Sequence, residues 1–404
     1  MTATETAPAD VPAPAAQGLR SAVPRLYLVC AVVAFALGSI AYGATAAKLV
    51  WPEFLSGEAI LAYGRLLPAA SNVLVLGWLT LGLAGAAIWL APRLGGARPA
   101  GQLTLPGLLL IIGGLGGGVV AVLAGENAGG RYLELPWWAD VAVAAGLAAV
   151  AVAVTRALRS AAGALPLSAW YLIAGLWVQL AGVATGVIPG LDGVSVALQG
   201  RFAASVITFA GPVLIGLGVA YFLVGALAQE TEFHPRLGSI GFWSLLFSLL
   251  WMAPRDFQNG PTPDWLETVP VLLGAVLTVA AVTIAADFAH ALRGKWPAVA
   301  ESRSLRLSVL GVALVPVTAA VLFVSSLRGP SAVLHFTLWE GGIEVLVLFG
   351  AGTMFLLAAV HHAVPKGRPF PVLLGVFQVW AFPAGLAAVL VSRWIGGLQQ
   401  GYTW

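Results

Sequence analysis

Charged and titratable side chains that could do chemistry stand beside long apolar stretches in the second half of the sequence. They are Arg255, Asp256, Arg328, His335, Glu340 and Glu344. The two glutamates are four residues apart, a spacing that puts both carboxylates on one face of a helix. Acids, arginines and an imidazole can form ion pairs or, where no arginine repels the cation, a metal site. Which of these they form depends on the elements that position them.

The composition indicates an integral membrane protein. Of the 404 residues, 59% are hydrophobic and 9% are charged, and the mean hydropathy is +0.92, whereas a soluble domain carries roughly a quarter charged residues. The net charge of +3 is scattered along the chain and does not suggest a nucleic-acid partner. A single cysteine, Cys30, excludes a disulfide framework. The lipid bilayer is therefore the first predicted partner.

Eleven segments are long and apolar enough to cross the hydrocarbon core, which takes about 20 residues of helix. They are 27–48, 64–91, 103–124, 136–157, 167–188, 200–228, 236–254, 265–290, 304–326, 333–362 and 371–393. Their connections are short, which predicts one polytopic membrane domain over 25–404. Residues 1–24 are rich in Ala and Pro and lack the features of a signal peptide, so a disordered cytoplasmic tail is predicted there.

The basic residues predict how the bundle is oriented, because lysine and arginine collect in cytoplasmic loops. With the N-terminus inside, thirteen of them fall in inner loops and seven in outer loops. Five tryptophans then lie at the outer interface, where aromatic belts occur. We predict a cytoplasmic N-terminus and an external C-terminus, with Arg255 and Asp256 at the outer end of the seventh helix.

Five short motifs, in order along the chain, resemble landmarks of one family. One motif is WMAPRDFQNGPTPDW (251–265), at the end of the seventh helix. It resembles a helix end in subunit I of the C-family, or cbb-type, heme-copper oxidases. There, W-x-x-P is followed by two residues that bind copper and then by P-D-W. The other four, at the matching helix ends, are GRLLPAASN (64–72), LRGP (327–330), LHFTLWEGGIEV (334–345) and VSRWIGGLQQGYTW (391–404). The sequence from residue 64 onward thus resembles a cbb-type cytochrome c oxidase subunit I.

That resemblance implies an all-α membrane bundle that holds a heme b, a high-spin heme and a copper ion on histidines and reduces oxygen or nitric oxide. It also implies the bacterial cytoplasmic membrane as location and a membrane-anchored c-type cytochrome, or another respiratory subunit, as partner. The sequence ends where the family's twelfth helix would begin, so about eleven helices are expected.

The histidine ligands of that family have no counterpart in this sequence. Aliphatic side chains cannot bind iron or copper, so the sequence predicts that heme and copper are absent and, with them, oxygen or nitric oxide reduction. The residues at these positions are Ala70 (helix-two heme ligand), Ile343 and Val345 (helix-ten heme ligands), Ser205 or a neighbour, Arg255 and Asp256 (copper ligands) and, approximately, Leu249 (redox tyrosine).

In place of the cofactors, the sequence favours an ionic cluster at the outer end of the former active-site region. Arg255 and Arg328 are predicted to pair with Glu340, Glu344 and Asp256, because charges at membrane depth face the bundle interior and find partners.

Two alternatives to this cluster remain open. The arginines and Asp256 could be solvated helix ends in the headgroup region. The acids could instead hold iron or manganese together with His335, although two arginines in the same place would repel a cation. Without a metal, His335 is a remnant with a packing role.

Three functions agree with these observations. The first is a degenerate subunit I, kept as a non-catalytic scaffold or partner subunit of a respiratory or assembly complex. The second, a divergent terminal oxidase or nitric oxide reductase with displaced ligands, needs histidines on facing helices, which the five histidines do not supply. The third, a transporter on the same bundle, needs a polar path, and only hydroxyl side chains suggest one: Ser239, Ser244, Ser248, Thr278 and Thr283.

Overall fold

The computed structural model of the protein describes residues 22–228, 233–260, 262–363 and 372–403. These residues form a helical bundle without β-strands. Eleven of its helices are long and apolar enough to cross a membrane, as the sequence predicts. They are α1 (Val23–Val50), α2 (Tyr63–Leu94), α3 (Gly101–Ala124), α4 (Trp137–Arg159), α5 (Leu167–Gly186), α6 (Val194–Leu227), α7 (Pro235–Phe257), α8 (Asp264–Ala291), α9 (Arg303–Ser326), α10 (Leu338–Ala363) and α11 (Gln378–Thr403).

Three helices, α2, α6 and α10, occupy the centre of the bundle and contact one another. In the most apolar stretch of both α2 and α6, 94% of the residues are buried, compared with 22% in α1 and 17% in α11. Each central helix widens into a π-helical segment: Val73–Thr80, Val206–Ala210 and Leu346–Gly352. Such segments are rare and frequently mark functional sites.

Side chains fill the middle of this three-helix centre. The ring of Phe355 is fully buried and lies against Gly216 of α6 and Gly311 of α9, where a Cβ atom would collide with it. Two polar contacts cross the same layer. Trp78 Nε1 donates to Thr353 Oγ1 at 3.1 Å, and Gln179 Nε2 donates to a threonine hydroxyl of α2 at 2.9 Å. The centre is thus closed by packing and by paired polar groups.

Besides shifts of up to six residues elsewhere, such as the start of α6 at Val194 instead of 200, the structure differs from the predicted segments at three helix ends. The predicted tenth segment, 333–362, is broken, because a short helix, Arg328–Leu334, precedes α10 and Thr337 caps the start of α10. The helix of α11 runs from Val372 to Thr403, well beyond the predicted end at 393.

The third difference lies at the predicted N-terminal tail. Residues 1–21 of that tail lie outside the described residues, but Ala22 already begins the helix of α1, so 22–24 are helical. Pro24 is tolerated there, because the first turn of a helix leaves its N–H groups unbonded in any case.

Candidate functional site

The end of the bundle that holds the loops after α1, α3, α5, α7 and α9 is called the outer end here, in line with the predicted orientation. Arg255 lies there in a 3₁₀ turn, Ala253–Phe257, and is only 3% exposed. Its Nη1 lies 2.6 Å from Glu340 Oε2, and its Nη2 lies 3.2 Å from Asp256 Oδ1. The structure therefore brings these three residues together as a buried ion-pair group that joins α7 to α10.

His335 belongs to the same group. Its Nδ1 lies 3.6 Å from Glu340 Oε1, whereas Arg255 pairs with the other carboxylate oxygen, Oε2. Phe336 follows with φ of 60°, a left-handed conformation that is uncommon for a bulky residue. This turn separates the short helix before α10 from α10 itself and places the imidazole against the first turn of α10.

Glu344 has different partners from the predicted ones. It forms an ion pair with Arg131 and accepts a hydrogen bond of 2.8 Å from the Tyr132 hydroxyl, both in the loop between α3 and α4. Burial alone would lower the pKa of Arg131, but the Glu344 carboxylate and the Tyr132 hydroxyl hold it above its ordinary value. Four residues of helix rotate a side chain by about 40°, which turns Glu344 away from α7 while Glu340 faces it.

Arg328 lies outside the cluster, so the predicted pairing of Arg328 with Glu340 or Glu344 is wrong. Its Nη2 lies 3.2 Å from Asp264 Oδ1, and the two side chains are 62% and 83% exposed. As the first residue of the short helix before α10, Arg328 points to the surface. The alternative in which the arginines are solvated helix ends is therefore correct for Arg328 but not for Arg255.

Polar side chains hold the loop after α7 in place around the buried group. Gln258 is 2% exposed, and its Nε2 donates to Ser326 O at 2.8 Å and to Glu267 O at 3.2 Å. Asn259 Nδ2 donates to Ser331 Oγ at 3.2 Å. This loop is thereby tied to α8, to the end of α9 and to the helix before α10, so the position of Arg255 is fixed from several sides.

Several positions that correspond to cofactor ligands or to the redox tyrosine of the cbb-type family are buried in this chain. Ala70 is 1% exposed and Ile343 is 0% exposed, and Ser205 and Leu249 are buried as well. Neither methyl nor alkyl groups can donate an electron pair to iron or copper. The hemes and copper of that family therefore do not fit the residues present at these positions.

The alternative metal site of Asp256, Glu340, Glu344 and His335 is not formed. Glu344 faces the loop between α3 and α4, while Glu340 and Asp256 face Arg255. Throughout the described part of the chain, no three His, Cys, Asp or Glu side chains are grouped so that they could hold a metal ion. The four predicted ligands are thus divided between two ion-pair groups.

A cavity of about 430 Å³ opens beside Glu344, between α1, α2, α10 and α11. Val345, at a family heme-ligand position, lines it, together with Arg393 of α11 and Glu134 of the loop between α3 and α4. Asn72 Nδ2 donates to Glu134 Oε2 at 2.6 Å. Burial raises the pKa of Glu134 to about 7, although this hydrogen bond and the charge of Arg131 act in the opposite direction.

Sequence reasoning missed four residues of this outer layer: Arg131, Tyr132, Glu134 and Arg393. The first three lie in RYLE (131–134), where three polar side chains occur within four residues between two apolar segments. That density of polar residues is a usable signal in a chain with only 9% charged residues. Arg393 gives no comparable signal, because it stands at the predicted boundary of the last segment.

Comparison with known proteins defines the class to which this bundle belongs. The sequence model of the family described as Cytochrome C and Quinol oxidase polypeptide I matches residues 22–404. The chain therefore belongs to the heme-copper oxidase subunit I family, which confirms the superfamily predicted from the sequence. A solved chain of a heme-copper terminal oxidase dimer has the same fold, with a TM-score of 0.72 over 94% of this chain and 75% of that chain at 14% identity.

Two curated relatives show how distant the similarity is. The chain is 24% identical to the Cbb3-type cytochrome c oxidase subunit CcoN1 of Stutzerimonas stutzeri over 192 residues, 46% of this chain and 40% of that subunit. It is 22% identical to cytochrome c oxidase subunit 1 of Rhodobacter capsulatus over an alignment of 404 residues, 94% of this chain and 73% of the relative. Assignment to the cbb-type branch stays a prediction.

Proposed function

We propose that this protein is a non-catalytic relative of cytochrome c oxidase subunit I, kept as a membrane scaffold or partner subunit of a respiratory or assembly complex. The observation that carries the proposal is the buried ion pair between Arg255 and Glu340. Arg255 stands at a family copper-ligand position, and its guanidinium is bound by two acids. A permanent positive charge at that place disfavours a metal cation electrostatically.

The heme-ligand positions support the same conclusion. Ala70 and Ile343 are buried, and their methyl and alkyl side chains offer no electron pair to an iron ion. The π-helical segments of the central helices are next to family ligand positions 70, 205 and 345. This agrees with a backbone inherited from an oxidase whose ligands were replaced.

An absorption spectrum of the purified protein, oxidised and reduced with dithionite, tests this proposal. We expect no Soret band and no stoichiometric copper or iron by elemental analysis. A Soret band close to one heme per chain would overturn the proposal in favour of a divergent terminal oxidase or nitric oxide reductase with displaced ligands. A subunit I relative that retains the histidine ligands, expressed in the same host, is the matched control for heme supply.

The transporter alternative has less support. Three of the five hydroxyl side chains on the suggested path donate to carbonyl oxygens of their own helix: Ser248 to Ser244 O, Thr278 to Gly274 O and Thr283 to Ala280 O. Hydroxyls that are satisfied within their own helix act in packing rather than as a continuous polar route.

The proposed partner is a membrane-anchored respiratory subunit, such as a c-type cytochrome, in the bacterial inner membrane. With no heme in this chain to accept electrons, the partnership would be structural. Affinity purification from the native membrane, followed by identification of stoichiometric subunits, tests this part. Recovery of the chain alone from gently solubilised membranes would contradict it.

A further inference from the structure

The cavity beside Glu344 is long and reaches well into the bundle. Its lining extends along α2 from Tyr63 to Val75 and along α10 from Leu338 to Phe349. At 1.5 Å per residue, this is about 17 Å along each helix. The volume of about 430 Å³ is within the range of small-molecule sites. The cavity therefore connects the outer interface with the depth at which acyl chains lie.

The deep part of the cavity is apolar. Leu67 and Leu74 of α2 face Val345, Leu348 and Phe349 of α10 across it. Val345 stands where the resembling family has a heme ligand, so an alkyl group replaces a metal-binding group in this wall. A ligand that fills this part gains contact with hydrocarbon side chains and needs no polar group there.

One arginine in the outer part of the cavity has no acidic partner within the described part of the chain. Among the residues that the structure describes, Arg393 has no carboxylate within salt-bridge distance, and its Nη2 donates to the Tyr42 hydroxyl at 3.3 Å. The guanidinium also lies against Gly341, where a Cβ atom would collide with it. Contacts with α1 and α10 thus hold this charge at the cavity wall.

The other charges of the wall do not cancel this one. Arg131 and Glu344 neutralise each other in their ion pair. Burial raises the pKa of Glu134 to about 7, so this carboxyl is only about half ionised at pH 7 and does not fully offset Arg393. The remaining charge, from Arg393, is positive, so the outer part favours an anionic group, and an arginine fork matches the oxygens of a phosphate.

The cavity is flanked by the two least buried helices. Among the described residues, α1 and α11 meet at two places: the ring centroids of Phe35 and Phe382 lie 6.4 Å apart, and Arg393 donates to the Tyr42 hydroxyl near the outer end. Both helices face outward over most of their surface. A ligand that enters from the bilayer would pass between α1 and α11 on the outer side of the contact between Phe35 and Phe382, with its polar end at headgroup level.

We propose that this cavity binds an anionic phospholipid, with the phosphate on Arg393 and one acyl chain between α2 and α10. The charge, the apolar depth and the lateral entry together select an anionic amphiphile. The lipid would fill space beside α10 where this chain has lost a family heme ligand. The site goes beyond the proposed scaffold role.

The test is native mass spectrometry of the detergent-purified, delipidated protein after incubation with dioleoyl phosphatidylglycerol, dioleoyl phosphatidylcholine or oleate. We expect phosphatidylglycerol to be retained over the other two. Loss of a charge-assisted contact predicts that Arg393→Gln lowers its retention by about tenfold. Arg328→Gln is the matched control, because Arg328 is an exposed arginine at the same end of the bundle, ion-paired with Asp264, and should leave retention unchanged.

Three results would overturn the proposal: equal retention of the two phospholipids, preferential retention of oleate, or unchanged retention by Arg393→Gln. If Arg393→Gln does not fold, a second variant, Leu67→Trp, fills the cavity and keeps the arginine. This variant should abolish phosphatidylglycerol retention, and undiminished retention would also overturn the proposal. A protein that has neither heme nor bound lipid contradicts this inference alone. A bound heme contradicts both the inference and the proposed function.

Discussion

Glu340 and Glu344 lie one turn apart on α10, yet they have opposite surroundings. Glu340 faces Arg255, whose side chain is 4% exposed, while Glu344 faces Arg131, whose side chain is 44% exposed. The first pair closes the contact between α7 and α10, and the second forms part of the wall of a cavity. One helix thus has a sealed side and an open side, which we expect to differ in how much each ion pair stabilises the fold.

The largest effect is expected from breaking the sealed side. Arg255→Ala leaves Glu340 buried without its main partner, and removing one member of a buried pair typically costs about 3–5 kcal/mol. We expect a correspondingly lower free energy of unfolding, measured by thermal or chemical unfolding in detergent.

The triple variant Arg255→Met/Asp256→Asn/Glu340→Leu is the control for this interpretation, because Arg255 pairs with both acids. It removes all three charges and approximately keeps their volume, so it should recover most of the lost stability. A triple variant as unstable as Arg255→Ala would show that the ion pairs are not the reason for the loss.

A smaller effect is expected on the open side. Glu344→Gln removes the charge that faces Arg131, but the high exposure of Arg131 limits the contribution of such a pair to about 1 kcal/mol. Tyr132→Phe, which removes the hydroxyl that donates to Glu344, should cost a similar amount. If Glu344→Gln destabilised the protein as much as Arg255→Ala, the two sides of α10 would not differ as proposed.

The pH dependence of stability gives a second comparison of the two sides of α10, because Glu134 lies on the open side, in the wall of the cavity. Burial raises its pKa from the ordinary 4.5 to about 7, so the folded state binds this proton more tightly than the unfolded chain. The contribution of Glu134 to stability is therefore fully present below pH 4.5 and is lost as the pH rises through 7. We expect unfolding experiments to show this decline, and Glu134→Gln to flatten it. An identical decline in that variant would assign the titration to another group.

Much of the fold could be predicted from the sequence, because the signals that define it are local. The length of an apolar run decides whether it can cross a membrane as a helix, and the eleven runs of sufficient length correspond to eleven helices among the described residues. Helix ends were less predictable. The break between the short helix and α10 depends on Phe336 in a left-handed conformation and on the Thr337 cap, neither of which interrupts the hydrophobic pattern enough to be noticed.

The site was predicted only in part, because pairing depends on the direction of each side chain. The approach of Arg255 to Glu340 agrees with the expectation that charges at membrane depth find partners. The partner of Glu344 lies more than two hundred positions away, in a loop that the sequence placed only at the outer interface. No local pattern encodes that contact, and the rotation of about 40° between two glutamates four residues apart decides it.

The smallest effect is expected for Arg328, the residue that the sequence wrongly placed in the cluster. Its partner Asp264 is 83% exposed, and solvent screens a pair of this kind so that it contributes roughly 0–1 kcal/mol. Arg328→Gln should therefore leave the unfolding midpoint within experimental error of the unsubstituted protein, whereas Arg255→Gln should lower it clearly. The two arginines are at the same end of the bundle and the substitutions are identical. Any difference in stability between the two variants therefore comes from how deeply each arginine is buried and from its acidic partner. A clear loss of stability in Arg328→Gln would mean that the surface pair with Asp264 holds the short helix before α10 in place, and that the stability of the outer end does not come from the buried group alone.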